Sequence, residues 1–311
     1  MARIKIKSSL TISDAFDNFI LAKSMQGVSD VTLKTYKSHF RCISKHLDTS
    51  CKISELSKQE LSKMIASMRG AELASNSIAS FVRVLKAFLS WANEEGLTAV
   101  NVPRYKAEET VKETYSDEEL SLLLLKPNLN KCTFAEYRTW VIINFLLNSG
   151  ARASTIRSIQ IRDLDLDNCV VVFRHNKSQK VQIIPLCSQM VSILKEYLHH
   201  RGGSESDYLF CTENDQMLTA QGLRWSVIRY NKSRGVEKTS IHLFRHTFAK
   251  KYLIDCGGDA FTLQRILGHA TLDMTKHYCN IYNVDIAKNY DRYSPLQQMD
   301  PREKRITFKA D

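Results

Sequence analysis

His242-Leu243-Phe244-Arg245-His246 sets an arginine between two histidines, and the reading of this run decides what surrounds it. Residues four apart share one face of a helix, so His242 and His246 fall on one side if the segment is helical. Histidines four apart also have metal-ligand spacing. The intervening Leu-Phe-Arg supplies no carboxylate base, however, and its guanidinium repels a divalent cation, so no metal is expected there. Upstream, Asn148-Ser149-Gly150-Ala151-Arg152 closes the apolar run Trp140–Leu147, which reads as a buried helix. Val170-Val171-Val172-Phe173 and Val181-Gln182-Ile183-Ile184 are β-rich and flank the polar segment His175–Lys180. They predict a hairpin closing on Pro185-Leu186. Downstream, Leu267-Gly268-His269 is followed nine residues later by Tyr278, within Thr275-Lys276-His277-Tyr278.

The order Arg152, Lys177, His242-x-x-Arg245, His269, Tyr278 resembles the catalytic set of the tyrosine recombinases, the group of phage integrases, Xer-type resolvases and transposon integrases. The likeness rests on the Gly-x-Arg turn, the lysine hairpin ending in Pro-Leu, the His-x-x-Arg-His box, the Leu-Gly-His box and the Thr-x-x-Tyr. Each is weak alone; five in order are specific. The resemblance extends over residues 10–293, because the N-terminal helices are also similar to the family's core-binding domain. It implies a site-specific recombinase that holds cleaved DNA as a 3′-phosphotyrosine and needs neither metal nor cofactor. It further implies that four protomers assemble on two DNA sites through a C-terminal tail.

The chemistry supports that set on its own terms. A DNA phosphodiester is anionic, and its transition state gathers charge on the non-bridging oxygens. Arg152 and Arg245 suit a bidentate grip on those oxygens. His242 and His269 can add hydrogen bonds to them. The Tyr278 phenol is a poor nucleophile at its ordinary pKa and needs a base, for which His242 is read. The leaving 5′-oxygen needs a proton, and a hairpin lysine can deliver it. Lys177 stands eight residues before Pro185, as in the family; Lys180 is the rival. The acidic residue often found three after the first arginine is Thr155 here, which removes one expected support of the site.

The first hundred residues read as a helical domain. Thr11-x-x-Asp14 and Ser57-x-x-Glu60 resemble capping boxes, and Ser116-x-x-Glu119 opens the second domain in the same way. A helix carrying Leu33, Tyr36, Phe40, Ile43 and Leu47 on one stripe sets Lys34, Lys37, Arg41 and Lys45 on another, which can follow a phosphate backbone or be a solvated face. Pro103 and the polar run around it read as a linker. The expected organisation is a helical DNA-binding domain at 10–100, a linker at 101–114, a mixed α/β catalytic domain at 115–295 with a tail helix, and a tail at 296–311. The fold class is thus mostly α, with a small β-sheet in the C-terminal domain.

Net charge is +11 over 311 residues, a surplus that favours a polyanionic partner. It is spread out: residues 1–100 carry 14 Lys and Arg against 9 Asp and Glu, so no single basic tail holds it. The eight cysteines form no CxxC pair and read as reduced thiols. No secretion signal or membrane span is read, so a cytoplasmic, nucleoid-associated enzyme is expected. The expected partner is double-stranded DNA with specific sites, with an accessory directionality factor possible and no membrane. Integration and excision of a mobile element is the reading preferred, with a Xer-like resolvase or a catalytically inactive DNA-binding regulator as alternatives. A metal-dependent nuclease is the competing class.

Overall fold

The structure, a computed structural model, describes residues 10–108, 113–174 and 181–268, which fall into two compact units divided at Thr110 and Val111. The first unit is helical: α1 (Ile12–Met25), α2 (Asp30–Ile43), α3 (Lys58–Gly70) and α4 (Ser75–Glu94), with a 3-10 turn at Ile53–Glu55. Thr11 and Ser57 each accept from the backbone N–H three residues on, and Asp14 and Glu60 reach back to close both capping boxes. The core is aromatic. Phe88 of α4 packs against Phe16, Phe19 and Trp91, and Phe16 stacks on Phe40 with ring centres 3.7 Å apart. After α4, Val100, Val102 and Tyr105 lie against the same core, and the Tyr105 hydroxyl is 3.0 Å from Ser75 Oγ.

On α2 only Ile43 is fully buried, and Lys34, Lys37 and Arg41 are exposed. The predicted basic stripe needs one correction: the helix stops at Ile43, so Lys45 stands in the turn beyond it. The cause is local. Ser44 Oγ donates to the Arg41 carbonyl, and the chain tightens into i→i+3 bonds from Lys45 to Cys42 and from His46 to Ile43.

The second unit combines α5 (Asp117–Leu124), α6 (Phe134–Ser149), α7 (Ala153–Ser158), α8 (Ser188–Arg201), α9 (Ala220–Ser233), α10 (Ile241–Lys250) and α11 (Ala260–Leu267) with a three-stranded antiparallel sheet. The strands, in spatial order, are β1 (Leu164–Asp165), β2 (Val170–Phe173) and β3 (Gln182–Pro185). The predicted hairpin is present, with Val171 opposite Ile184 and Phe173 opposite Gln182; its second strand runs one residue later than expected. Val171, Phe173 and Ile184 turn into the core and Ile183 turns out, the two-residue alternation of a sheet covered on one face. β1 is an addition to the sequence reading.

α6 is the axis of this unit. Tyr137, Trp140, Val141, Ile142, Ile143, Phe145 and Leu146 are all buried, which is possible only because α8, α9 and α10 pack around it. α10 runs on into a π turn at Lys251–Asp255 before the chain reverses into α11.

Candidate active site

The site forms where α6 and α11 end and α7 begins. α6 terminates at Gly150, whose φ of 58° is left-handed. A Cβ there would also stand 2.5 Å from Phe248 Cδ1 and 2.7 Å from Leu267 Cδ2. Glycine is therefore required twice, for conformation and for the close approach of α10 and α11. Two residues on, Arg152 is the N-cap residue of α7 and is half-buried. α11 ends at a second left-handed glycine, Gly268, with φ 61°.

A helix leaves its last carbonyls without intrahelical partners, and that end is the negative pole of its dipole. At α11, three side chains from three other elements take these groups. Gln182 of β3 donates from Nε2 to the Ile266 carbonyl at 2.6 Å and to that of Arg265. Arg245 of α10 donates from Nη2 to Leu267 O at 2.8 Å and from Nη1 to Gly150 O at 2.7 Å. Arg152 makes a longer contact, 3.4 Å from Nη2 to Gly268 O. Two guanidiniums thus converge on adjacent carbonyls, and the negative helix end offsets their mutual repulsion.

Arg245 is 7% exposed, so its guanidinium is held inside the protein by backbone oxygens. His242 lies in the first turn of α10 and is exposed; His246, one turn on, is half-buried. Thr155 is buried in α7, and backbone carbonyls are among the partners of both arginines. Lys177, its rival Lys180, His269 and Tyr278 lie outside the described residues, as does the tail after Tyr278. Among the described residues, no group of three or more His, Cys, Asp or Glu is placed to hold a metal ion. Gln182 is the residue the sequence reading passed over. Its one signal was an amide within the otherwise apolar run Val181–Ile184.

Residues 115–283 match the model of the phage integrase family, and residues 14–96 match that of the phage integrase N-terminal SAM-like domain. The chain belongs to the phage integrase family, the tyrosine recombinases. Tyrosine recombinase XerD of Staphylococcus haemolyticus is 26% identical over 301 residues, which span 92% of this integrase and 99% of that protein. Tyrosine recombinase XerC of Thermodesulfovibrio yellowstonii is 28% identical over 236 residues, 72% of this chain and 77% of that one. Among solved structures, the Tn1549 transposon integrase in complex with transposon right end DNA superposes with a TM-score of 0.75 at 20% identity, covering 92% of this integrase and all of that chain. A lambda integrase dimer bound to a COC′ core site gives 0.69 at 17% identity, over 85% and 97% of the two chains. At these identities the structural likeness is one of fold.

In this integrase α10 is fixed from behind. Tyr115 stacks on Phe244 with ring centres 4.3 Å apart, and its backbone N–H donates to Thr247 Oγ1 at 2.9 Å. Asn231 Nδ2 donates to the Tyr115 hydroxyl at 3.0 Å. Burial pushes the Tyr115 phenol well above its ordinary pKa, so it stays protonated. It serves as a prop for the helix that carries His242 and Arg245. No helix among the described residues is long and apolar enough to cross a membrane.

Proposed function

We propose that this chain is a site-specific DNA recombinase that cleaves and rejoins DNA through a 3′-phosphotyrosyl intermediate on Tyr278. The observation that carries the reading is the convergence of Arg152 and Arg245 on the adjacent carbonyls of Gly268 and Leu267. Guanidiniums fixed in this way need no reorganisation when charge develops on the phosphate, which is where electrostatic catalysis gains most. His242 takes the phenolic proton, and the Tyr278 oxygen bonds to phosphorus as the bond to the 5′-oxygen breaks. Lys177 protonates that leaving oxygen, and His269 donates to a non-bridging oxygen. Attack by a new 5′-hydroxyl reverses the step, so the bond energy is conserved and no nucleotide cofactor is consumed.

The partner is duplex DNA carrying specific sites. Four protomers act together through their tails, and an accessory protein can set direction. Lys34, Lys37 and Arg41 give the first unit an exposed cationic face for phosphates, with Lys45 beside it. Integration and excision of a mobile element is the role favoured by the likeness to a transposon integrase. Chromosome or plasmid resolution is favoured instead by XerD, which this chain matches over nearly the whole of that protein's length. The DNA flanking the gene discriminates between them.

The test is a suicide substrate, nicked beside the cleavage site, in excess chelator. A covalent protein–DNA adduct is expected, and it disappears in Tyr278→Phe. Loss of all cleavage on chelation overturns the metal-free mechanism, and an adduct that survives Tyr278→Phe overturns the nucleophile.

A further inference from the structure

The carbonyl turn that holds the two arginines is itself held by a residue outside the proposed catalytic set. We infer that Gln182 is a positioning residue for the arginine clamp: it fixes the C-terminal turn of α11 from the sheet, and through that turn it orients Arg245 and Arg152. This rests on the recombinase reading for its consequence in catalysis, but not for the contact itself.

Three observations carry it. Gln182 Nε2 spends its N–H groups on two successive carbonyls, Arg265 and Ile266, and the next two, Leu267 and Gly268, are those taken by Arg245 and Arg152. Four consecutive oxygens thus form one acceptor strip, read from β3, α10 and the turn before α7. Second, the fit is close on the other side of the amide. A Cβ on Gly268 would stand 2.9 Å from Gln182 Oε1, so the left-handed glycine and the glutamine side chain are matched in space. Third, Gln182 pairs with Phe173 in the β2–β3 register, and Phe173 is buried in the unit's core, so the amide is borne by a strand that cannot shift without disturbing that core.

A half-buried amide–carbonyl contact contributes modestly to stability, but a turn that sets the direction of two guanidiniums acts on the reaction through geometry. Small displacements of a catalytic group lower rates by an order of magnitude or more. Gln182→Met keeps the length of the side chain and removes both donors. Gln182→Glu keeps its shape and turns an acceptor toward two acceptors. Single-site DNA affinity is expected to stay within about threefold, because it comes from dispersed phosphate contacts. Cleavage of the nicked substrate is expected to fall about tenfold or more in Gln182→Met, and further in Gln182→Glu.

A second readout does not need catalysis. With ¹⁵N-labelled arginine, rotation of the Arg245 guanidinium is expected to be slow in the intact protein, where two carbonyls accept from it, and to speed up in Gln182→Met. Unchanged cleavage and unchanged Arg245 rotation overturn the inference. So does a fall in DNA affinity as large as the fall in cleavage, which marks a general loss of structure. If the unaltered chain fails to cleave at all, the recombinase reading falls, while the Arg245 rotation still decides whether Gln182 positions the clamp.

Discussion

The two units of the chain bury different kinds of residue. Among the described residues of the first, every fully buried side chain is apolar, and the centre is a cluster of phenylalanines with one tryptophan. The second buries Arg138, Thr139, Ser149, Thr155, Asp163, Asn231, Arg245 and Thr247 inside an otherwise similar core. Stability and proposed function are therefore separable in the first unit, where the cationic residues lie exposed on and beside α2. They are fused in the second, where the proposed clamp residue Arg245 is part of the packing. Carbonyls at two helix ends accept from its buried guanidinium and offset the cost of burying that charge.

Arg245→Ala tests that fusion most severely. It removes a proposed transition-state contact and takes the Arg245 donors from the Gly150 and Leu267 carbonyls. Cleavage is expected to fall by about a thousandfold or more, with a loss of about 3 kcal/mol in the stability of the second unit. Arg152→Ala is the control within the same site. Its residue is half-buried rather than fully buried, and its contact to Gly268 O is long, so cleavage is expected to collapse equally while stability changes by less than about 1 kcal/mol. Most DNA affinity remains in both. Denaturant unfolding beside a cleavage assay and a gel shift measures all three quantities. Equal stability losses in the two variants would break the distinction between a clamp residue in the core and one at its rim.

The opposite experiment is made in the first unit. Phe88 is fully buried among Phe16, Phe19, Phe40 and Trp91. Phe88→Ala is expected to destabilise that unit by about 3–5 kcal/mol through lost burial and the cavity left behind. Phe88→Met should recover most of this, to a loss of about 1–2 kcal/mol, because the position needs volume rather than a particular chemistry. Arg245→Met, by the same logic, recovers no cleavage. If Phe88→Met loses DNA binding while the unit remains folded, the first core too carries function, and the contrast between the units fails.

What was legible in the sequence follows the same division. The helices of the first unit are marked by local signals, and the boxes at Thr11 and Ser57 close as read. The apolar period of α2 continues to Leu47 and predicts a longer helix, whereas the helix stops at Ile43, where Ser44 Oγ donates to the Arg41 carbonyl and the chain turns through i→i+3 bonds. In the second unit the β2–β3 hairpin was readable from two β-branched runs. β1 was not, since two residues, Leu164 and Asp165, are too few to show an alternation. Motif order singles out Arg152 and Arg245 as candidates. Their anchoring was not legible, because Arg245 meets Gly150 across 95 residues and Gln182 meets Ile266 across 84. No periodicity encodes such a pairing.

The smallest expected effect concerns polar stabilisation at the margin of the second unit, where α5 begins. Glu119 closes the capping box with Ser116 and also meets Lys238 Nζ at 2.9 Å, joining α5 to the segment that leads into α10. Partial burial pushes its carboxyl upward, but the Ser116 backbone N–H and the Lys238 ammonium outweigh this, so its pKa lies below the ordinary glutamate value. A carboxyl lowered by folding stabilises the folded state above its unfolded pKa, and that contribution is lost as pH falls through the folded value. Glu119→Gln keeps a side-chain acceptor for the cap and removes the charge that Lys238 meets. At neutral pH it is expected to destabilise the second unit by about 0.5–1 kcal/mol, the range of a partly exposed pair at a helix N-terminus. The difference between the two proteins should shrink to nothing as the carboxyl is protonated in acid. Lys238→Gln should cost at least as much at neutral pH, because it also gives up the Thr114 carbonyl, and the double variant should lose less than the sum of the two, because the ion pair is shared. Fully additive losses, or a Glu119→Gln effect that persists in acid, would show that the ion pair does not stabilise this corner.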